Sequence, residues 1–403
     1  MAEKILIIGA GQAAAQTVAT LKAEGFDGAI TIVGGEAFPP YQRPPLSKAY
    51  LSGKLERERL FLKPDTFYSE AHCELLLGVS ATAVDRARKT VALSGGRSLS
   101  YDKLMFATGT RVRRIKVPGA ELAGVHYLRS IADVDLLRPQ MKEGARLAIV
   151  GGGYIGLEVA AVAVKLGLEV TVFEALDRVM ARSVTPQLSA FYEKEHRGNG
   201  VRFLFETGVE AFEGTDRLSG VRAGGQVYDA DFALVGIGVI PNTELAAEAG
   251  LSCDDGIVVD PFCTSVDDPA IFAAGDCTRH YSHDGKAIRL ECVQNAIDQA
   301  KHAALAMTGK PKAYREVPWF WSDQYDLKLQ IAGLAWPGDQ LVLRGDPEAR
   351  KFAIFHLREG AVAAVEAVNA APEYIIGRKL IGDATKVAPE RLADTSLSMK
   401  NIV

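Results

Sequence analysis

Apolar residues along the chain fall into short runs, each followed by a turn of small residues and then by a longer helical stretch. Residues 4–36, KILIIGAGQAAAQTVATLKAEGFDGAITIVGGE, predict a strand, a tight turn at Gly9–Gly11, a helix, and a second strand from Ile30 to Val33 that ends near Glu36. The order returns at 146–174, RLAIVGGGYIGLEVAAVAVKLGLEVTVFE, with the final strand running into Glu174. Three further apolar strands are predicted: 103–110, which ends in Ala107-Thr108-Gly109; 232–240, FALVGIGVI; and 270–274, which runs into Gly275-Asp276. Beyond residue 318 the pattern changes. LKLQIAG, QLVLRG, KFAIFHL and AVAAVEAV lie at short spacing and predict antiparallel hairpins, and residues 369–381 predict a helix.

The repeated turn has a chemistry. In Gly9-x-Gly11-x-x-Ala14 and Gly151-x-Gly153-x-x-Gly156, the first glycine permits the tight turn and the second lets backbone N–H groups approach a pyrophosphate. The third position allows close helix–strand packing, and the positive end of the helix dipole faces the phosphates. An acidic residue on the next strand can accept hydrogen bonds from a ribose diol. Glu36 stands 27 residues after Gly9, and Glu174 stands 23 after Gly151. Two dinucleotides are implied, with Gly151, Gly153, Tyr154, Ile155, Gly156, Glu174 and Gly238 expected around the second. A 2′-phosphate would bring about −1.5 to −2 charges against Glu174. At an effective dielectric near 20, each charge costs about 4 kcal/mol at about 4 Å. The second nucleotide is therefore read as NADH, although Arg178 lies close enough in sequence to offset that repulsion. Glu36 follows two glycines, so a solvated turn acid is the alternative to a ribose ligand. Ala107, Thr108 and Gly109 leave room for something bulky beside the backbone. Asp276 reads either as a ligand or as a helix cap.

Composition narrows the class. Apolar residues make up 48% of 403 and charged residues 24%, as in an ordinary globular protein of two or three domains. Lys plus Arg total 46 against 50 Asp plus Glu, which excludes a wholesale nucleic-acid footprint. Residues 5–21 are uncharged, but Gly9–Gly11, Gln12, Gln16 and Thr17 break the apolar run. It therefore reads as strand, turn and helix, and not as a signal peptide or membrane span. The five cysteines are widely spaced, with no CxxC pair, which predicts a reducing, cytoplasmic setting.

The two fingerprints, ATG at 107–109, TSVDDPAIFAAGD at 264–276 and PYQRPPLSK at 40–48 resemble the pyridine-nucleotide–disulfide reductase superfamily. More narrowly, they resemble the FAD-containing, NADH-dependent ferredoxin reductases of bacterial Rieske dioxygenases and haem monooxygenases. The resemblance covers essentially the whole chain. It implies an α/β fold with two Rossmann-like dinucleotide-binding domains, glutathione-reductase-like, plus a C-terminal α+β interface domain. The implied boundaries are 1–112 with 241–318 for FAD, 113–240 for NADH and 319–403 for the last domain. By the same likeness Gly9, Gly11, Ala14, Glu36, Ala107, Thr108, Gly109 and Asp276 would hold FAD, with Asp276 on the ribityl chain. Arg43, Pro45 and Lys48 would line the flavin, and Asn295 and Ala296 would lie near it. One departure is informative: 40–48 carries no cysteine, and none precedes Cys73. Without a thiolate, flavin electrons cannot pass to an enzyme disulfide and must leave to another acceptor.

Lys48 alone reads as a surface lysine. Glu158 is expected in the first turn of the second fingerprint helix, where the dipole favours a carboxylate. A buried carboxylate needs a partner, and Lys48 is the candidate; the resemblance puts this pair at the flavin and nicotinamide, as the catalytic residues. Trp319, Phe320 and Trp321 read either as core or, for Trp321, as a cover on the flavin edge. Arg111, Arg113, Arg114 and Lys116, with a weaker group of Arg378, Lys379 and Lys386, are either solvated surface or a steering patch. The expected activity is hydride transfer from NADH to FAD, then single electrons to a [2Fe–2S] ferredoxin, with no membrane or nucleic-acid partner and a monomeric state favoured. A rubredoxin reductase and an NADH-sensing flavoprotein are the alternatives; a membrane quinone reductase is disfavoured because 392–403 lacks an amphipathic anchor.

Overall fold

The computed structural model describes residues 2–282 and 285–402. The chain forms two compact units: residues 1–42, 57–111 and 240–316 make the first, and residues 43–56, 112–239 and 317–403 the second.

In the first unit six strands lie in the order Thr264–Ser265, Asp268–Ala273, Lys103–Phe106, Lys4–Ile8, Ala29–Gly34 and Cys73–Leu77. All pairings are parallel except the first. Parallel strands covered on both faces read as continuous apolar runs, and Ile5–Ile8 is buried throughout. Helices Gln12–Ala23 and Val293–Met307 cover one face. Their contact is built from Ala13, Ala14 and Val18 against Ala296, Ala300 and Ala303, residues small enough for close approach.

The second unit repeats the arrangement. Its parallel sheet runs Arg202–Leu204, Glu169–Phe173, Arg146–Val150, Phe232–Val235 and Val125–His126. In each unit a three-stranded antiparallel meander precedes the strand that pairs with the fingerprint strand: 81–100 before Lys103–Phe106, and 209–229 before Phe232–Val235. That meander is a further part of the repeat, and its weakly patterned sequence concealed it. The same unit carries a five-stranded antiparallel sheet ordered Trp319–Gln324, Leu327–Gly333, Ala361–Val368, Lys351–Arg358 and Gln340–Asp346. Helix Ala371–Gly382 packs on it through Tyr374 and Leu380 against Phe355 and Val365.

Two expected strands are shorter than their apolar runs. The run 232–240 divides into Phe232–Val235 and Val239–Pro241, because Gly238 at φ +101° turns the chain between them. The run 103–110 breaks after Phe106 at Ala107–Gly109, and Thr110–Val112 then pairs with Val239–Pro241.

A buried carboxylate joins the antiparallel sheet to helix Pro186–Gly198. Thr185 caps that helix by accepting from Leu188 N at 3.3 Å, while Glu366, 1% exposed, takes the Thr185 N–H at 2.9 Å and its hydroxyl at 2.7 Å. Thr185→Val keeps the volume but removes the cap and leaves one Glu366 oxygen without its donor. We expect a loss of about 2 kcal/mol in denaturant unfolding; an unchanged midpoint would remove this contact as a stabilising feature.

Candidate functional site

Each unit builds one glycine cradle from the same physics. Gly9 has φ +111°, and a Cβ there would lie 2.1 Å from Ala107 O; Gly151 has φ +106°, with its Cβ 2.4 Å from Gly236 O. Both glycines thus press the turn against the neighbouring strand end, and no other residue fits. Gly11 and Gly153 each cap the following helix without a side-chain cap, and a Cβ on either would meet nothing within 4 Å. Neither helix has an acid in its first turn or a side-chain cap, which leaves the positive end of each dipole favourable for phosphate. Ala14 is fully buried, as its packing role requires.

In the first unit Glu36 follows strand Ala29–Gly34 and accepts from Tyr41 Oη at 2.6 Å. Thr108 and Asn242 exchange bonds of 2.7 and 2.9 Å, which fixes the Ala107–Gly109 turn. Asp276 is half-buried and accepts from Thr110 Oγ1 at 3.3 Å. The loop before it is held by Gln299, a residue the sequence reading missed. Its buried Oε1 takes Gly275 N and Thr278 Oγ1, both at 2.8 Å, and Asn295 Nδ2 at 3.2 Å. The signal lay in the Asn295–Gln299 spacing, one helical turn on one face. Asn295 is buried, with its Oδ1 accepting from Tyr314 at 2.9 Å, and Ala296 packs among the helix alanines. The structure thus gives both residues internal partners.

In the second unit Glu174 follows Phe173 and accepts from Gly152 N at 2.6 Å and Leu176 N at 2.8 Å. The acid is thereby fixed over the glycine turn, where a ribose would lie. Arg178 does not reach towards it. Its guanidinium donates to Val184 O at 3.1 Å, Ser189 Oγ at 2.6 Å and Ala181 O at 2.8 Å. Tyr154 and Ile155 open the helix; Tyr154 packs on Phe320 with centroids 4.5 Å apart, and Ile155 is exposed.

Lys48 and Glu158 come together in the second unit. Helix Tyr154–Lys165 puts Glu158 in its second turn, not the first, because the helix begins only at Tyr154. The dipole therefore contributes less than expected, and side chains stabilise the carboxylate. Glu158 is 3% exposed, with Lys48 Nζ at 2.6 Å and Ser47 Oγ at 2.5 Å on Oε2 and Ser322 Oγ at 2.6 Å on Oε1. Lys48 follows the one-turn helix Pro44–Ser47, in which Pro44 and Pro45 fix the backbone. Arg43 donates to Arg129 O at 2.5 Å, so the flank of this segment is tied down as well. Ser47 and Ser322 had no sequence signal beyond being polar.

Trp321 is half-buried and lies 5.5 Å from Trp319, which packs on Tyr374 and under Arg378. Trp319 is thus the core member of the cluster. Arg111 is paired with Glu244 at 2.6 Å, whereas Arg113, Arg114, Lys116, Lys379 and Lys386 are exposed. Burial pushes every cysteine thiol up, Cys292 to about 11 and Cys73 to about 12, so none is poised as a thiolate. Among the described residues no helix is long and apolar enough to cross a membrane, and no acid–histidine–cysteine cluster could hold a metal.

The chain belongs to the pyridine nucleotide-disulphide oxidoreductase family, whose model matches residues 3–304; a reductase C-terminal model matches 319–403. It is an oxidoreductase that uses FAD and NAD(H). It is 44% identical to the 5,5'-dehydrodivanillate O-demethylase ferredoxin reductase subunit of Sphingobium sp. (strain NBRC 103272 / SYK-6), over 98% of this chain and 97% of the relative. It is also 44% identical to rhodocoxin reductase of Rhodococcus erythropolis, over 98% and 93%. Among solved structures, the covalent putidaredoxin reductase–putidaredoxin complex matches at a TM-score of 0.96 and 39% identity, over 99% of this chain and 98% of that one.

Two buried histidines define an acid limb of stability. Burial holds His196 and His280 down at about 4, below the usual 6.5. Their folded values are depressed, so the unfolded chain binds more protons. The stability they confer is complete above about pH 6.5 and falls towards pH 4. Each should steepen the decline by up to about 1.4 kcal/mol per pH unit. Urea midpoints between pH 7 and 4.5 test this; His196→Gln should flatten the slope, and an unaltered slope would contradict the assignment.

Proposed function

We propose that this chain is the reductase component of an oxygenase system, carrying reducing equivalents from NADH through FAD to a [2Fe–2S] ferredoxin. One observation carries the reading: a single chain combines two dinucleotide cradles with a 40–48 segment that holds no cysteine and whose Lys48 pairs with the buried Glu158. A relative matching over nearly the whole length, the 5,5'-dehydrodivanillate O-demethylase ferredoxin reductase subunit, supports it.

FAD is assigned to 1–112 and 241–318, NADH to 113–240, and the partner-facing role to 319–403. The open helix N-termini fit two pyrophosphates, and the anchored Glu36 and Glu174 fit two ribose diols. Bound FAD supplies the conversion between a two-electron nicotinamide and one-electron acceptors. The residues supply binding, orientation and charge. Glu174 accepts from the adenosine ribose and opposes a 2′-phosphate, while Arg178 is occupied by its own loop. Lys48 presents a cation that stabilises negative charge developing at the flavin, and Glu158, held by Ser47 and Ser322, keeps that ammonium in place. Asp276, Arg43, Pro45 and Trp321 complete the flavin surroundings in this assignment. The five raised thiols accord with a cytoplasmic protein without a disulfide relay, and the working unit is taken as a monomer.

Lys48→Ala should slow flavin reduction by NADH about tenfold or more, or move the flavin potential, as expected for one lost charge-assisted contact. Stopped-flow absorbance and redox titration measure both; if neither changes, Lys48 has no such role. The wider reading is tested by purifying the protein and following cytochrome c reduction with NADH or NADPH, with and without [2Fe–2S] ferredoxins. Yellow protein, NADH preference and dependence on ferredoxin are expected, whereas colourless protein or turnover through a cysteine couple would overturn the function. With ferredoxin present, the rate should also fall as salt rises, since exposed basic residues steer an acidic partner. A flat salt response would exclude steering by Arg113, Arg114 and Lys116.

A further inference from the structure

Behind Glu158 runs a series of buried hydrogen bonds that the proposed chemistry does not use. Ser322 Oγ lies 2.6 Å from Glu158 Oε1, Gln324 Nε2 is 3.2 Å from Ser322 Oγ, His196 Nε2 is 2.8 Å from Gln324 Oε1, and Tyr325 Oη is 2.9 Å from His196 Nδ1. Ser322 and His196 are 0% exposed and Gln324 is 1% exposed, while Tyr325 is half-buried at the end of the series. Two elements supply it: strand Trp319–Gln324, with Ser322 and Gln324 two apart on one face, and helix Pro186–Gly198 with His196.

Donor chemistry fixes the direction of every link. An ionised Glu158 only accepts, so the Ser322 hydroxyl donates to it and has only lone pairs left for Gln324. The Gln324 amide must then turn its N–H to Ser322 and its oxygen to His196. That oxygen also only accepts, so His196 carries its proton on Nε2, and Nδ1 accepts from the Tyr325 hydroxyl. All four donors point to one carboxylate, an arrangement in which each bond polarises the next. The amide in the middle does not relay protons, so the series orients a charge and does not conduct one.

We propose that His196 and Gln324 are positioning residues for Glu158: through Ser322 they fix the Oε1 side of its carboxylate, so that Oε2 stays on Lys48. The consequence for flavin reduction rests on the role proposed above for the Lys48–Glu158 pair; the geometry of the series does not.

The test uses the full FAD-loaded chain with ¹⁵N-labelled histidine, the His196 signals being assigned by their loss in His196→Gln. At neutral pH the ring should show a protonated Nε2 and an unprotonated Nδ1. In Glu158→Gln the new amide competes to donate to Ser322, so part of the population should move to the Nδ1–H form. A wild-type ring protonated on Nδ1 or on both nitrogens, or a ring unaltered in Glu158→Gln, overturns the proposal. In parallel, His196→Leu and Gln324→Leu should slow NADH-driven flavin reduction by up to about tenfold, the worth of a buried hydrogen bond between neutral groups. His196→Gln, which restores an N–H donor, should recover most of the rate. Leucine variants as fast as wild type also overturn it; should they fail to fold, the tautomer measurement and Tyr325→Phe decide: because the order is set from Glu158, the ring should stay protonated on Nε2 without the terminal donor, and a shift to Nδ1–H would overturn the proposal. If Glu158→Gln itself reduces flavin at the wild-type rate, the functional reading of the pair falls, while the tautomer result still judges the series.

Discussion

A carboxylate removed from water organises the second unit. Burying an ion costs several kcal/mol unless its charge and lone pairs are matched. At Glu158 the match requires three separate stretches of chain: Ser47 and Lys48 from the segment after Arg43, Ser322 from the antiparallel sheet, and the helix that follows Gly153. This accounts for the short excursion 43–56 grouping with the second unit although its chain neighbours on both sides belong to the first.

The glycine cradles impose the other constraint. The turn at Gly9 and the turn at Gly151 touch a carbonyl of the strand that follows the meander, at Ala107 and at Gly236. In the proposed assignment, phosphate recognition and sheet packing therefore depend on the same turn. A side chain at either position would disturb both at once, which ties the fold to its ligand chemistry more tightly than a surface loop would.

Much of this was legible in the sequence because local rules and global structure agree there. The two strand–turn–helix–strand units, the acids at their ends and the final run of hairpins follow from periodicity and glycine spacing alone. What stayed hidden depends on tertiary contact. Gly238 divides an apolar run that reads as one strand, since its positive φ has no signature in hydrophobicity. The two meanders have mixed patterns and half-exposed faces. Glu158 was misplaced by one turn because the helix start depends on cap geometry, not on the glycine motif. Ser322, Gln324 and His196 are ordinary polar letters until the helix and the sheet pack together, and Gln299 gains its role only from three donors brought to it by the fold.

Arg178 carries one last implication. Its guanidinium is built into the loop after Glu174 by bonds to two carbonyls and one hydroxyl. The cation nearest in sequence to the acid is thus a structural rivet, and neutralising Glu174 would not by itself supply a phosphate receptor. If Glu174 holds the adenosine ribose as proposed, coenzyme choice is a property of a whole loop, and redesign towards the phosphorylated nicotinamide would have to import a new basic group while leaving that rivet alone.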